Sequence, residues 1–146
     1  MLADSAQAVG GKLYILGGGW SLTGPEPASF ALAVKIEVPW DQAGFSHTFR
    51  LALFDSDGQV VVNETRDGPQ AIEIAAGFEV ERAPGLRPGS PIDVPLAFTF
   101  APIPLEAGER YVWRLEIDGH SHEDWRVAFS TRPRRDTSAD DDSTTS

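Results

Sequence analysis

A chain of 146 residues, 41% of them hydrophobic, suits one domain with a real core. Its 22 acidic and 12 basic residues give a formal charge of −10, which repels phosphate backbones and anionic lipid and argues against nucleic-acid and membrane partners. There is no cysteine, which excludes disulfides, thiolate nucleophiles and cysteine-held zinc or iron–sulfur sites.

The opening "MLADSAQAV" has neither a basic n-region nor an apolar h-region. No apolar run reaches the roughly 20 residues of a membrane helix. A cytoplasmic protein is the expectation. A first strand is expected near Met1 to Gln7 and a second at Lys12 to Leu16. The second runs into Gly17, Gly18 and Gly19, and glycine-rich turns after strands often cradle phosphates. A P-loop, however, needs lysine and serine or threonine after its glycines, then a helix. Trp20 stands here instead, with no helical pattern behind it. The dinucleotide fingerprint G-x-G-x-x-G fails too, because Leu22 stands where its third glycine belongs. The glycines are expected to bend the strand end and let Trp20 cover the end of the core.

Period-two alternation marks most of the chain beyond Ser29. In "SFALAVKIEV", Phe30, Leu32, Val34, Ile36 and Val38 share a face opposite Lys35 and Glu37. Trp40 comes just after Pro39 and reads as a lid on the core or an exposed binding aromatic. In "TFRLALF", Phe49, Leu51 and Leu53 align. "DSDG" then predicts a hairpin before "QVVV". As an EF-hand loop it fails, with Gln59 at position 5 and Arg66 at position 12. In "QAIEIAAGFEV", Ile72, Ile74, Phe78 and Val80 align as one strand. "APGLRPGSP" is a loop. In "VPLAFTF", Val94, Leu96, Phe98 and Phe100 align. "LEAGERY" sets Tyr111 at a strand head, as in the tyrosine corner of immunoglobulin-like sandwiches. In "YVWRLEI" and "DWRVAF", Tyr111, Trp113, Leu115 and Ile117, then Trp125, Val127 and Phe129, are expected to face the core.

Short strands punctuated by glycine and proline predict an all-β, antiparallel, immunoglobulin-like β-sandwich of about eight or nine strands. It should span residues 1–132. Residues 133–146 read as a disordered acidic tail, with no hydrophobe larger than alanine to bury.

Candidate chemistry is sparse. His120 and His122, two apart on a strand and followed by Glu123 and Asp124, form the one cluster suited to a transition metal. His47 is the only other histidine that could complete it. The competing reading is a solvated hairpin tip. Ser121 beside His120 makes no triad, and no G-x-S-x-G occurs. Trp40 and Trp20 are the candidate contacts for a partner or ligand.

Together "ADSAQAVGGKLYILGGGW", "IEVPWD", "PLEAGERYVWRLEIDG" and "EDWRVAF" resemble a family of small bacterial proteins, frequent in actinobacteria and known as a domain of unknown function. The resemblance spans about residues 2–133 and implies a stand-alone bacterial domain. It carries no catalytic or binding residues.

The expected function is a non-catalytic interaction or binding module without a cofactor, able to take a protein partner or form a homo-oligomer. The alternatives are a metal-dependent protein or enzyme using the His120–Asp124 hairpin, or a small-ligand or carbohydrate-binding sandwich.

Overall fold

The computed structural model describes residues 1–82 and 84–135. Among them run β1 (Leu2–Val9), β2 (Lys12–Gly18), β3 (Leu22–Thr23), β4 (Phe30–Val38), β5 (Ser46–Phe54), β6 (Val62–Thr65), β7 (Gly68–Ala71), β8 (Glu73–Glu79), β9 (Ile92–Phe100), β10 (Arg110–Ile117) and β11 (His120–Thr131). One 3-10 turn, Trp40–Gln42, interrupts them, and the described residues contain no α-helix. No helix among them is long and apolar enough to cross a membrane.

The strands form a four-stranded sheet, β2-β1-β4-β9, a five-stranded sheet, β3-β11-β10-β5-β8, and a separate β6-β7 pair. The all-β class follows from the alternation. The strand count and the purely antiparallel pairing do not survive. The two-residue β3 runs parallel to β11, pairing Leu22 with Ser130 and Thr23 with Thr131. Strands that short carry no period to read.

The two larger sheets pack face to face. Leu2, Phe30, Leu32, Ile36, Val38 and Ile92 from one meet Phe49, Leu51, Leu53, Tyr111, Trp113, Leu115 and Phe129 from the other. Each such side chain contributes about 1.5–3 kcal/mol when fully buried. Trp113 is the largest fully buried side chain, with Phe100 4.9 Å and Phe30 6.4 Å from its ring.

The stretch expected as one strand through Ile72 is broken there. The Ile72 N–H donates to the Val61 carbonyl, while its own carbonyl accepts from the Leu53 N–H. The chain thus changes partners at Ile72, from the β6 side to β5. Ile74, Phe78 and Val80 still lean on the core.

Gly17 and Gly19 resolve sterically. At Gly17 φ is +59°, and a Cβ would collide with the Asp4 carboxylate. Gly19 has φ +86° and donates its N–H to the Leu2 carbonyl at 2.7 Å. Both positions demand the left-handed backbone that glycine adopts without strain.

"DSDG" forms the expected turn. The Asp55 carboxylate accepts the N–H groups of Asp57 and Gln59 at 2.9 and 3.0 Å, so it caps its own loop. Tyr111 accepts the Glu106 N–H on its hydroxyl at 3.0 Å, the bond expected of a tyrosine corner. Thr131 ties the same turn to the end of β11, donating to the Glu106 carbonyl at 2.6 Å. Pro133, Arg134 and Arg135 are exposed, with Arg134 3.4 Å from Glu26. The remainder of the expected acidic tail, 136–146, lies outside the described residues.

Candidate functional site: a cleft between the sheets

β4 is nine residues long, but β1 accompanies only its first part. Leu2 and Ala3 pair with Leu32 and Ala31. Met1 and Ala33 exchange both backbone bonds, at 2.6 and 2.8 Å. From Val34 to Val38, β4 keeps β9 on one flank, and no described strand pairs with the other. Backbone groups alternate in direction along a strand. Ala31 and Ala33 face β1, so Lys35 and Glu37 direct their N–H and C=O groups to this open flank.

Across from it, the β10–β11 ladder is interrupted. Pairing is regular from Arg110–Ser130 to Arg114–Arg126 and resumes at Glu116–Ser121. Between these, Leu115 alone faces His122, Glu123, Asp124 and Trp125. The Ser121 hydroxyl donates to the Leu115 carbonyl at 3.1 Å, supplying a partner where the ladder fails. Trp125, at the bulge, is 38% exposed on the cleft rim, where a core position was expected. His122 sits 5.9 Å from the Trp125 ring and accepts the Asp124 N–H on Nδ1 at 3.1 Å.

A cleft of about 680 Å³ separates the β4 flank from this ladder. Its floor is apolar, built from Val34, Ile36, Trp113, Leu115 and Ile117. Lys35, Glu37, Asp124, Trp125 and Arg126 line its polar rim. Lys35 lies 3.6 Å from Glu37 and 3.7 Å from Asp93, so the rim charges are partly paired.

His47 and Asp118 also line the cleft. His47 is buried; its Nδ1 lies 2.7 Å from the Asp118 carboxylate and its Nε2 2.9 Å from the Gln42 carbonyl. Both neighbours are acceptors, so the imidazolium satisfies both ring nitrogens at once. The hydrogen bond to Asp118, then the Gln42 carbonyl, raises the His47 pKa above its ordinary value. The same bond, then the Thr48 N–H at 2.9 Å, lowers that of Asp118. Asp118 sits at φ +51° ahead of Gly119 at φ +79°, and this turn aims its carboxylate back at β5.

This geometry separates the three histidines. His47 has both nitrogens engaged, while His120 and His122 are exposed on β11. Among the described residues no three His, Cys, Asp or Glu side chains come together in a way that could hold a metal ion. Trp20 is half-buried and meets Phe30 and Phe129 edge-on at 6.1 Å, so it covers the end of the core. Trp40 lies on the 3-10 turn with the Arg82 guanidinium 4.3 Å over its ring, and Arg82 also donates to the Trp40 carbonyl. Neither tryptophan lines the β4–β11 cleft.

Sequence reasoning missed Asp118. One signal was available: His47 falls in phase with Phe49, Leu51 and Leu53, and a histidine on an inward face needs a buried partner. The open flank of β4 had no such signal.

These features describe a two-layer all-β chain with an open cleft between its sheets. The family model described as "Family of unknown function (DUF6941)" matches residues 1–129, and the chain belongs to that family. No curated protein and no solved structure matches the chain.

Proposed function

We propose that the protein is a non-catalytic binding module on an immunoglobulin-like sandwich, holding an extended ligand in the cleft between β4 and the β10–β11 ladder. One observation carries this reading: an apolar floor adjoins an unpaired stretch of β4. The floor offers burial, and the Lys35 and Glu37 backbone offers directed hydrogen bonds, the two needs of an added peptide strand. The immunoglobulin-like arrangement is supported by the sheet orders, β1-β4-β9 against β8-β5-β10-β11, and by the Tyr111 contact at the head of β10. A bacterial, cytoplasmic setting belongs to the same proposal.

A small ligand or carbohydrate is the second reading. The exposed Trp125 on the rim, with Asp124 beside it, favours it.

Selection of displayed random peptides on the purified chain tests the proposal, followed by amide hydrogen exchange with the best binder. Protection of the Lys35 and Glu37 amides is expected, and Val34→Arg should abolish binding. Binders that protect other strands, or a sugar that quenches Trp125 while no peptide binds, would overturn the peptide reading.

A further inference from the structure

β2 is an edge strand of the four-stranded sheet, bonded on one side to β1 and on the other to no described strand. Soluble proteins guard such edges with charges, prolines or bulges. The outer flanks of β9, β8 and β11 are guarded in this way. β9 carries Asp93 and Pro95, and β8 carries Glu73 and Glu79. On β11 the His122–Trp125 bulge, with Glu123 and Asp124, does the same. β2 reads "KLYILGG", with Lys12 as its one charge. It also exposes large apolar side chains: Tyr14 by 57%, Leu16 by 71% and Ile15 by 36%. Val9, across the hairpin from Lys12, is 57% exposed.

We propose that β2 is a self-association edge, pairing antiparallel with β2 of a second copy about a twofold axis to join two four-stranded sheets. Charge selects the occupant. Two copies with a net charge of −10 repel over most of their surfaces. From Ser5 to Pro25 the chain has no carboxylate at all, the longest such stretch in the sequence. The Asp4 carboxylate lies against Gly17 at the far end of the strand, so it is around Ile15 that two copies meet without opposing acids. A twofold axis near Ile15 sets Tyr14 opposite the second copy's Leu16, so the strand is complementary to itself. One strand pair buries less than the roughly 1,200 Å² of a stable interface, so the dimer should be weak and concentration-dependent. The inference does not rest on the cleft.

Sedimentation of the full chain from about 10 μM to about 1 mM tests it, a span that brackets weak association. The apparent mass should rise from 15.8 kDa towards twice that value. Tyr14→Glu with Leu16→Glu should hold the chain monomeric throughout, with its circular dichroism unchanged because both side chains are exposed. Tyr14→Glu with Leu16→Lys places opposite charges across the axis and should restore association that weakens with added salt. A wild-type chain monomeric at every concentration would overturn the proposal. So would a dimer that both double variants leave untouched.

Discussion

The β10–β11 ladder has a regular half and an interrupted half, and a tryptophan marks each. Trp113, in the regular half, is 1% exposed and packed against Phe30 and Phe100. Trp125 leads into Arg126 from the bulge and is 38% exposed. Both occupy alternating positions in apolar runs. Alternation assigns a face but not a depth of burial, and Trp125 lies on the open cleft rim where the ladder is interrupted. The regular half builds the core, and the interrupted half releases chain to the cleft rim.

The widest contrast between the halves should appear on truncating each tryptophan. Trp113→Ala should cost about 3–5 kcal/mol, transfer and cavity together. Trp125→Ala should cost less than about 1 kcal/mol, as at a surface position. Urea denaturation of both variants measures the difference; equal losses would mean the bulge is as well packed as the ladder.

At the regular end, Tyr111→Phe removes the acceptor of the Glu106 N–H. A loss of about 1–1.5 kcal/mol is expected. An unchanged denaturation midpoint would leave Tyr111 a packing residue only.

At the interrupted end, His47 and Asp118 should make stability depend on pH. The raised His47 pKa contributes stability that is complete below the ordinary value of 6.5 and is lost as pH rises through the folded value. The lowered Asp118 pKa contributes stability that is complete above 3.8 and is lost as pH falls through the folded value. The pair therefore stabilises most between 3.8 and 6.5. Thermal melts extended below pH 3.8 and above pH 6.5 should show that Asp118→Asn flattens both limbs. A variant with the wild-type profile would mean that the pair adds nothing to stability.

The smallest effect is expected on the bulge itself. His120→Ala with His122→Ala should shift stability by no more than about 0.5 kcal/mol. Elemental analysis of untagged protein should find no stoichiometric zinc or copper. One bound equivalent, lost with stability on chelation, would move the metal-dependent alternative to first place.

The strands with long alternating runs were legible in the sequence, because burying one face of a sheet imposes period two on local residues alone. Phe30 to Val38 and Phe49 to Leu53 declared their inward faces in this way, and Asp57-Gly58 declared a turn. The glycines at the end of β2 declared a bend, since the phosphate-binding patterns around them fail. What tertiary structure decided was pairing. Which strand lies beside which depends on backbone hydrogen bonds, and these are nearly indifferent to side-chain identity. No residue between Val34 and Val38 announces that β1 stops alongside Ala33, and none in "HSHEDW" announces that Leu115 will face four residues. The cleft lies where the β1–β4 pairing ends at Ala33 and the β10–β11 ladder is interrupted, a property of the assembled sheets rather than of any one stretch of sequence.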